Sequence, residues 1–262
     1  MSAELDLARR LSIEAGKILL SHFGKPIGVE MKAWADPVTL ADRESEAFIR
    51  SEIFRHFPDD GIIGEEEDDR IGSSGRKWLV DPLDGTVNFA GGLPIWAVCI
   101  ALIDANGQAL LNVTHDPMRG ETFEGERGKG SFVNGMRMRV SALDDLAQAL
   151  IQTQIPSVPR YREPSLALFA QLTRVAPHVR NIGSSALAQA YVAAGRLHAH
   201  VRMRVAAYDI VGGNLLIQEA GGVATDIGGQ PYGDGSRGLL AATPAFHAKI
   251  LAMNLMAYFP SA

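Results

Sequence analysis

An α+β half up to about residue 140, followed by an α/β half, is the fold class this sequence predicts. Three observations carry that reading. Two early stretches repeat apolar residues at helical spacing. A run of β-branched segments joined by tight turns follows, and beyond residue 140 short apolar strands alternate with helical stretches.

Leu5, Ala8, Leu11, Ala15, Ile18 and Leu19 define a first amphipathic helix, with Gly24 and Pro26 placed to stop it. A second helix is predicted between Leu40 and Phe57 on the stripe Ala41, Phe48, Ile49, Ile53 and Phe57, broken by Pro58-Asp59-Asp60-Gly61. The apolar run Gly61-Ile62-Ile63-Gly64 leads into the acidic stretch Glu65 to Asp69, and Trp78-Leu79-Val80 is a compact strand. Pro94 to Ile103 and Leu110 to Val113 are strands on either side of the turn Asp104 to Gly107. Phe123 to Gly135 reads as a further hairpin, with Gly125 to Gly130 forming turns. This first sheet is expected to be antiparallel.

In the second half, strands are predicted at Ala149 to Ile155, Val179 to Ile182, His198 to Val205, Val223 to Ile227 and Leu239 to Ala242. Helices are predicted at Pro164 to Val175, Ser184 to Gly195, Asp209 to Ala220 and from Pro244 onward, with Gly221-Gly222 capping the third. A soft boundary falls near Ser141. No Pro/Gly/Ser linker marks it, so residues 1–140 and 141–262 are expected to share an extensive interface.

Composition narrows the function classes. With 262 residues, 47% of them hydrophobic, the chain can bury a core without covalent staples. Cys99 is the one cysteine, which rules out an internal disulfide and fits a reducing compartment. A net charge of −5 is of the wrong sign for a dedicated nucleic-acid binder. No apolar run approaches the ~18–20 residues of a membrane span, and Met1 to Arg10 lacks a signal-peptide core. The expectation is a soluble cytoplasmic protein without nucleic-acid or membrane partners.

The strongest chemical signal is Asp81-Pro82-Leu83-Asp84-Gly85-Thr86, where a strand delivers two carboxylates to a turn and a helix can begin at Thr86. Carboxylates this close repel unless a cation joins them, and hard oxygen donors favour Mg²⁺, Mn²⁺ or Ca²⁺. A helix start after Gly85 would aim amides at an anion such as phosphate. The other reading is an Asp-Pro turn followed by an N-capping Asp. Glu65 sits where a strand end would point it inward, whereas Asp68 and Asp69 are left to solvent. Asp42 lies at a helix opening, as a surface residue or a site residue. Asp209 is either an N-cap or a ligand delivered from the second half. A phosphate-binding G-x-x-x-x-G-K-[ST] loop, an H-E-x-x-H helix and a G-x-S-x-G elbow are absent from the sequence. Two residues separate Asp81 from Asp84, which argues against the D-x-D-G-T of aspartyl-nucleophile phosphatases.

Six blocks, in order, resemble the inositol monophosphatase family over nearly the whole chain. They are Asp36-Pro37-Val38-Thr39 with Ala41-Asp42; Gly64-Glu65-Glu66; Trp78 through Phe89; Gly183-Ser184; Asp209-Ile210-Val211-Gly212-Gly213; and Glu219-Ala220-Gly221-Gly222. The resemblance implies a layered αβαβα sandwich of the inositol monophosphatase and fructose bisphosphatase type, a homodimer, and Mg²⁺-dependent, lithium-sensitive hydrolysis of a small phosphorylated metabolite. By position, it implies that Glu65, Asp81 and the Leu83 carbonyl hold one metal and that Asp81, Asp84 and Asp209 hold a second. Glu65 would help with a third, and Mn²⁺ could replace Mg²⁺. Asp42, Glu65 and Thr86 would be catalytic, with Asp42 and Thr86 orienting the attacking water. Phosphate would meet Asp84 and the amides of Gly85 and Thr86. The rest of the substrate would meet Gly183, Ser184, Ser185, Arg202 and Asp209.

Inositol 1-phosphate is the substrate this resemblance favours. Arg202, however, stands seven residues before Asp209, where inositol-phosphate relatives carry a Glu, and Arg204 is close by. An Arg there could pair with a second anionic group, as in relatives that act on fructose 1,6-bisphosphate, or it could face outward on a shifted strand. Tyr208 stands where a Trp is usual. Thr86-Val87-Asn88-Phe89 follows the inositol-type pattern rather than the histidinol-phosphatase variant, and 3′-phosphoadenosine 5′-phosphate remains a further substrate option. A non-catalytic regulator of the same fold is disfavoured, because the ligand positions and Thr86 are intact.

Overall fold

The Ser2 side chain accepts a hydrogen bond from the Leu5 amide at 3.3 Å and opens helix α1 (Ala3–His22). This computed structural model describes residues 2–25, 29–33, 36–156, 158–203, 206–233 and 236–258; Pro26, Arg204 and Val205 lie outside them. A short hairpin of β1 (Val29–Ala33) and β2 (Asp36–Thr39) follows, which the sequence pattern does not announce. Helix α2 (Leu40–His56) begins on a capping box: the Thr39 side chain accepts from the Asp42 amide, and the Asp42 carboxylate accepts from the Thr39 amide.

Next come β3 (Gly61–Gly64), β4 (Lys77–Asp84), the short helix α3 (Thr86–Ala90), and strands β5 (Ala97–Ile103), β6 (Ala109–Asp116), β7 (Glu121–Glu126), β8 (Gly130–Val133) and β9 (Met136–Arg137). They form a seven-stranded sheet in the order β3-β4-β5-β6-β7-β8-β9. The expected antiparallel sheet is in fact mixed, because β3 lies parallel to β4 at its edge. The acidic loop supplies the long crossover that a parallel pair requires, without a helix.

All of β5 is buried, which hides the alternation of a strand inside a continuous apolar run. Val98, Ile100 and Leu102 pack with Leu11, Ile49 and Ile53 of α1 and α2, while Ala101 and Ile103 face Tyr208 and Val211 on the opposite side.

The second half contributes β10 (Leu150–Thr153), α4 (Pro159–Val175), β11 (His178–Arg180), α5 (Ser185–Ala193), β12 (Ala199–Arg202), α6 (Ala207–Glu219), β13 (Val223–Thr225), β14 (Leu239–Ala242) and α7 (Pro244–Leu251). Short 3-10 turns precede β10 (Leu146–Gln148) and end the described residues (Leu255–Tyr258). Helix α4 starts five residues earlier than expected. Pro159 takes its first turn, where a missing amide proton costs nothing, and Pro164 is accommodated inside. The second sheet runs β11-β10-β12-β14-β13, with β10 parallel to β11 and β12.

Five layers result: α1 and α2, the seven-stranded sheet, α5 and α6, the five-stranded sheet, then α4 and α7. The expected αβαβα order is therefore present. Along β14, Leu239 and Ala241 face α5 and α6, whereas Leu240 and Ala242 face α4 and α7. Helix α6 lies close to both sheets. A Cβ on Gly212 would come within 2.0 Å of Asn112 Oδ1, so a side chain has no room there. Glu219 accepts hydrogen bonds from the amides of Gly128 and Gly130, both at 2.7 Å, and latches α6 onto the β7–β8 turn. Among the described residues no helix is long and apolar enough to cross a membrane.

Candidate active site

Strand β4 carries two carboxylates into the interior. Its ladder with β5 runs from Lys77 opposite Ile103 to Asp81 opposite Cys99, breaks, and resumes at Asp84 opposite Ala97. The break falls at Pro82, which has no amide proton for a ladder, and it re-aims the residues beyond it. Within the bulge the Leu83 amide donates to Asp81 Oδ1 at 3.0 Å. Gly85 then takes φ +100°, and a Cβ there would meet the Ile95 carbonyl oxygen at 2.9 Å. A side chain would be both strained and obstructed. Thr86 starts α3 directly afterward.

Asp81 is fully buried, and its carboxyl is pushed well above the usual range. Burial is the largest cause, and the charges of Glu65, Asp84 and Asp209 add to it. Acidic side chains from three distant stretches thus act on one locus. Asp84 is held at about 6: burial and Asp209 raise it, while hydrogen bonds from Ser184 and Ala186 and the charge of Arg202 lower it. Burial also drives the neighbouring Cys99 thiol up to about 12, which leaves it inert as a nucleophile at neutral pH.

The Asp84 carboxylate sits at the start of α5. It accepts hydrogen bonds from the Ser184 hydroxyl, the Ser185 amide at 3.2 Å and the Ala186 amide at 2.8 Å. Ser184 is also the N-cap of α5, accepting from Leu187. Ser184 and Ser185, expected to meet substrate, are therefore engaged with Asp84 here. Gly183, next in line, lies against the Asn88 side chain.

Asp42 is 1% exposed and serves two structures at once. One carboxylate oxygen closes the capping box with Thr39, and the other lies 3.3 Å from the Thr86 hydroxyl, which is also 3.1 Å from the Leu83 carbonyl. Burial raises the Asp42 carboxyl against the lowering effect of these bonds. Asp42 thus opens the helix as expected, and its burial beside Thr86 sets aside the surface reading.

Asp209 is the third residue of α6, so it is not the N-cap; Ala206 holds that position without a side-chain cap. Its Oδ2 accepts from Arg202 Nη1 at 3.0 Å, and the same nitrogen donates to the Ser185 hydroxyl. Arg202 therefore points into the site from the end of β12 rather than outward. Glu65 is half-buried just after β3, Asp68 and Asp69 are exposed as expected, and Glu67 is exposed as well.

The candidate donors are hard oxygens of like charge, buried at Asp81 and Asp84 and half-buried at Glu65 and Asp209, which fits a hard divalent cation. As placed, no three Asp, Glu, His or Cys side chains among the described residues are close enough to hold an ion outright. Asp84 is turned onto the α5 amides and Asp209 onto Arg202.

Two supporting residues, Glu46 and Ser45, escaped the sequence reading, and a third, Asn88, entered it only as part of a motif. Glu46, buried on α2, accepts the amides of Glu66 at 2.8 Å and Glu67 at 3.1 Å, which anchors the acidic loop beside Glu65. Ser45 donates to the Pro82 carbonyl at 3.4 Å. Asn88 donates to the carbonyls of Ile95 and Ile182, joining α3 to the Gly183 loop. The signal was present for the first two: Asp42, Ser45, Glu46, Ile49 and Ile53 share one helical face, so polar residues interrupt an apolar stripe.

Layered sheets in which the buried Asp81 and Asp84 of one sheet meet Ser184 and the Asp209 charge from the second half fit a phosphatase, and similarity to known proteins gives that class. The sequence matches the model of the inositol monophosphatase family over residues 2–257, and the chain belongs to that family. It is 34% identical over 248 residues to a fructose-1,6-bisphosphatase/inositol-1-monophosphatase of Thermotoga maritima, covering 94% of each chain. It is 39% identical over 241 residues to an inositol-1-monophosphatase of Rhizobium meliloti, covering 90% of each. The crystal structure of the extragenic suppressor protein suhB from Bartonella henselae superimposes with a TM-score of 0.92 at 33% identity, covering 96% of this chain and 98% of that one.

Proposed function

We propose that this phosphatase hydrolyses a small sugar or polyol phosphate, inositol 1-phosphate above the alternatives, by direct attack of water on phosphorus. The observation that carries the reading is the buried locus at Asp81, where burial and the like charges of Glu65, Asp84 and Asp209 together push one carboxyl well above its usual range. Glu65, Asp81, the Leu83 carbonyl, Asp84 and Asp209 would hold two or three Mg²⁺ ions, with Mn²⁺ as a substitute and Li⁺ as an inhibitor. Bound there, such ions supply Lewis-acid charge that acidifies a water and neutralises the leaving oxygen.

The protein's own groups do the positioning. The Thr86 hydroxyl has one proton and two nearby acceptors, the Leu83 carbonyl and Asp42. With that proton committed, its remaining lone-pair capacity receives a hydrogen bond from the attacking water. Asp42 fixes the Thr86 rotamer and is itself fixed by the start of α2. The amides of Gly85 and Thr86 receive the phosphoryl oxygens, in the backbone path that Gly85 makes possible. As the water oxygen bonds to phosphorus, the ester P–O bond breaks. The alcohol departs with a proton, and inorganic phosphate remains. No protein nucleophile is required.

A second reading, fructose 1,6-bisphosphate, is favoured by one observation: the Arg202 guanidinium is aimed into the site beside Asp209. The family reading also carries a homodimer in the cytoplasm. The deciding experiment measures phosphate release from inositol 1-phosphate, histidinol phosphate, fructose 1,6-bisphosphate and 3′-phosphoadenosine 5′-phosphate, with Mg²⁺, with EDTA and with added Li⁺. The expected result is highest kcat/KM on inositol 1-phosphate, loss on chelation and inhibition by Li⁺. A ratio of fructose bisphosphate to inositol phosphate activity that R202E leaves unchanged removes the second reading. Turnover that survives exhaustive chelation, or a labelled phosphoenzyme trapped on acid quench, overturns the mechanism.

A further inference from the structure

Asp209 does not wait for a metal as an open ligand. Its carboxylate, 14% exposed, is paired with Arg202, 12% exposed, at 3.0 Å, and the same Nη1 also donates to the Ser185 hydroxyl. The charge reaches further, since Arg202 lowers the Asp84 carboxyl while Asp209 raises it. A charge-assisted bond between nearly buried partners is strong enough to bias the occupancy of a neighbouring site.

We propose that Arg202 is a built-in counter-cation for Asp209 that competes with a divalent ion for this carboxylate, so ion binding at the Asp209 end of the cluster requires the guanidinium to let go. The inference rests on the metal-dependent reading above and adds to it a resident competitor for one ligand.

The surroundings permit the displacement. Arg202 and His200 lie on the same face of β12, and Gln152 is the cross-strand partner of His200. Arg202 Nε, both ring nitrogens of His200 and Gln152 Nε2 are buried without hydrogen-bond partners among the described residues. A guanidinium leaving Asp209 therefore swings against a polar wall with a spare acceptor, not into an apolar core. By linkage, any anion that draws Arg202 away strengthens metal binding at Asp209 by the same factor.

The test is Mn²⁺ binding to the whole protein without substrate, followed by electron paramagnetic resonance and calorimetry. The wild type, R202M, R202Q, R202K and D209N are compared, with circular dichroism to verify the fold. The wild type is expected to show a tighter and a weaker class of site. Removing the competing charge in R202M or R202Q is expected to tighten the weaker class by about tenfold and leave the tighter class unchanged. R202K, which keeps a cation, is expected to stay within about threefold of the wild type. Either neutral variant suffices if the other fails to fold. D209N is expected to remove the weaker class. If the weaker class is unchanged or weakened in the neutral variants while D209N abolishes it, the competition is overturned and the metal reading stands. If the wild type binds no Mn²⁺, or D209N leaves both classes intact, the metal reading at Asp209 falls and this inference falls with it.

Discussion

The Thr86 hydroxyl lies 3.3 Å from Asp42 Oδ1 across 44 positions of sequence, so the opening turns of α2 and α3 are joined to one another. T86A removes the hydroxyl proposed above to orient water. It is expected to lower kcat about 100-fold or more with little change in KM, and T86S is expected to restore most of the rate. Steady-state kinetics on the best substrate checks this; a near-normal kcat in T86A would remove Thr86 from the chemistry.

Asp81 and Asp209 differ in what they face, so their Asn variants are expected to move stability in opposite directions. D81N relieves a buried carboxylate crowded by three others while keeping an oxygen for the Leu83 amide. In EDTA it is expected to stabilise the protein by roughly 1–2 kcal/mol. D209N strands the Arg202 guanidinium and is expected to cost about 1–3 kcal/mol. Both are expected to abolish turnover. Urea titrations of the metal-free proteins give the two signs.

His200 is fully buried and neutral, its pKa lowered to about 3, chiefly by burial and secondarily by Arg202. Below the ordinary value of 6.5 the unfolded chain takes a proton that the folded one refuses, so stability falls as pH drops from 6.5 toward 3. H200F lacks this penalty. Its stability relative to the wild type is expected to rise on acidification through that window, by at most ~1.4 kcal/mol per pH unit. Parallel pH–stability curves for the two proteins would contradict the assignment.

Asn88 satisfies the carbonyls of Ile95 at 2.8 Å and Ile182 at 2.9 Å with one amide group. N88A is expected to cost about 1–3 kcal/mol and to lower kcat, because the loop that brings Ser184 to Asp84 loses its tether. Thermal melts and phosphate-release rates measured on the same samples test both parts.

Legibility in the sequence followed the physics of each element. Asp81 to Thr86 stood out because proline, glycine and two carboxylates are compressed at a strand end, and the bulge at Pro82 and the positive φ of Gly85 bear out why those residue types are needed. Asp209 was legible as a charge before an apolar helix but not as its third residue, since Ala206 offers no capping side chain to mark the start. The parallel β3–β4 edge was hidden because an irregular loop makes the crossover. The engagement of Ser184 with Asp84 and of Arg202 with Asp209 depends on α5 and β12 arriving beside β4, which local spacing does not encode.

Helices α5 and α6 form the floor of one sheet and the roof of the other. Severing the polypeptide near Ser141 would strip the seven-stranded sheet of the apolar surface that Leu216, Ile210 and Val211 supply to it. Neither fragment could then stay dispersed by itself. Produced together, the two pieces should find one another and melt as a single cooperative unit.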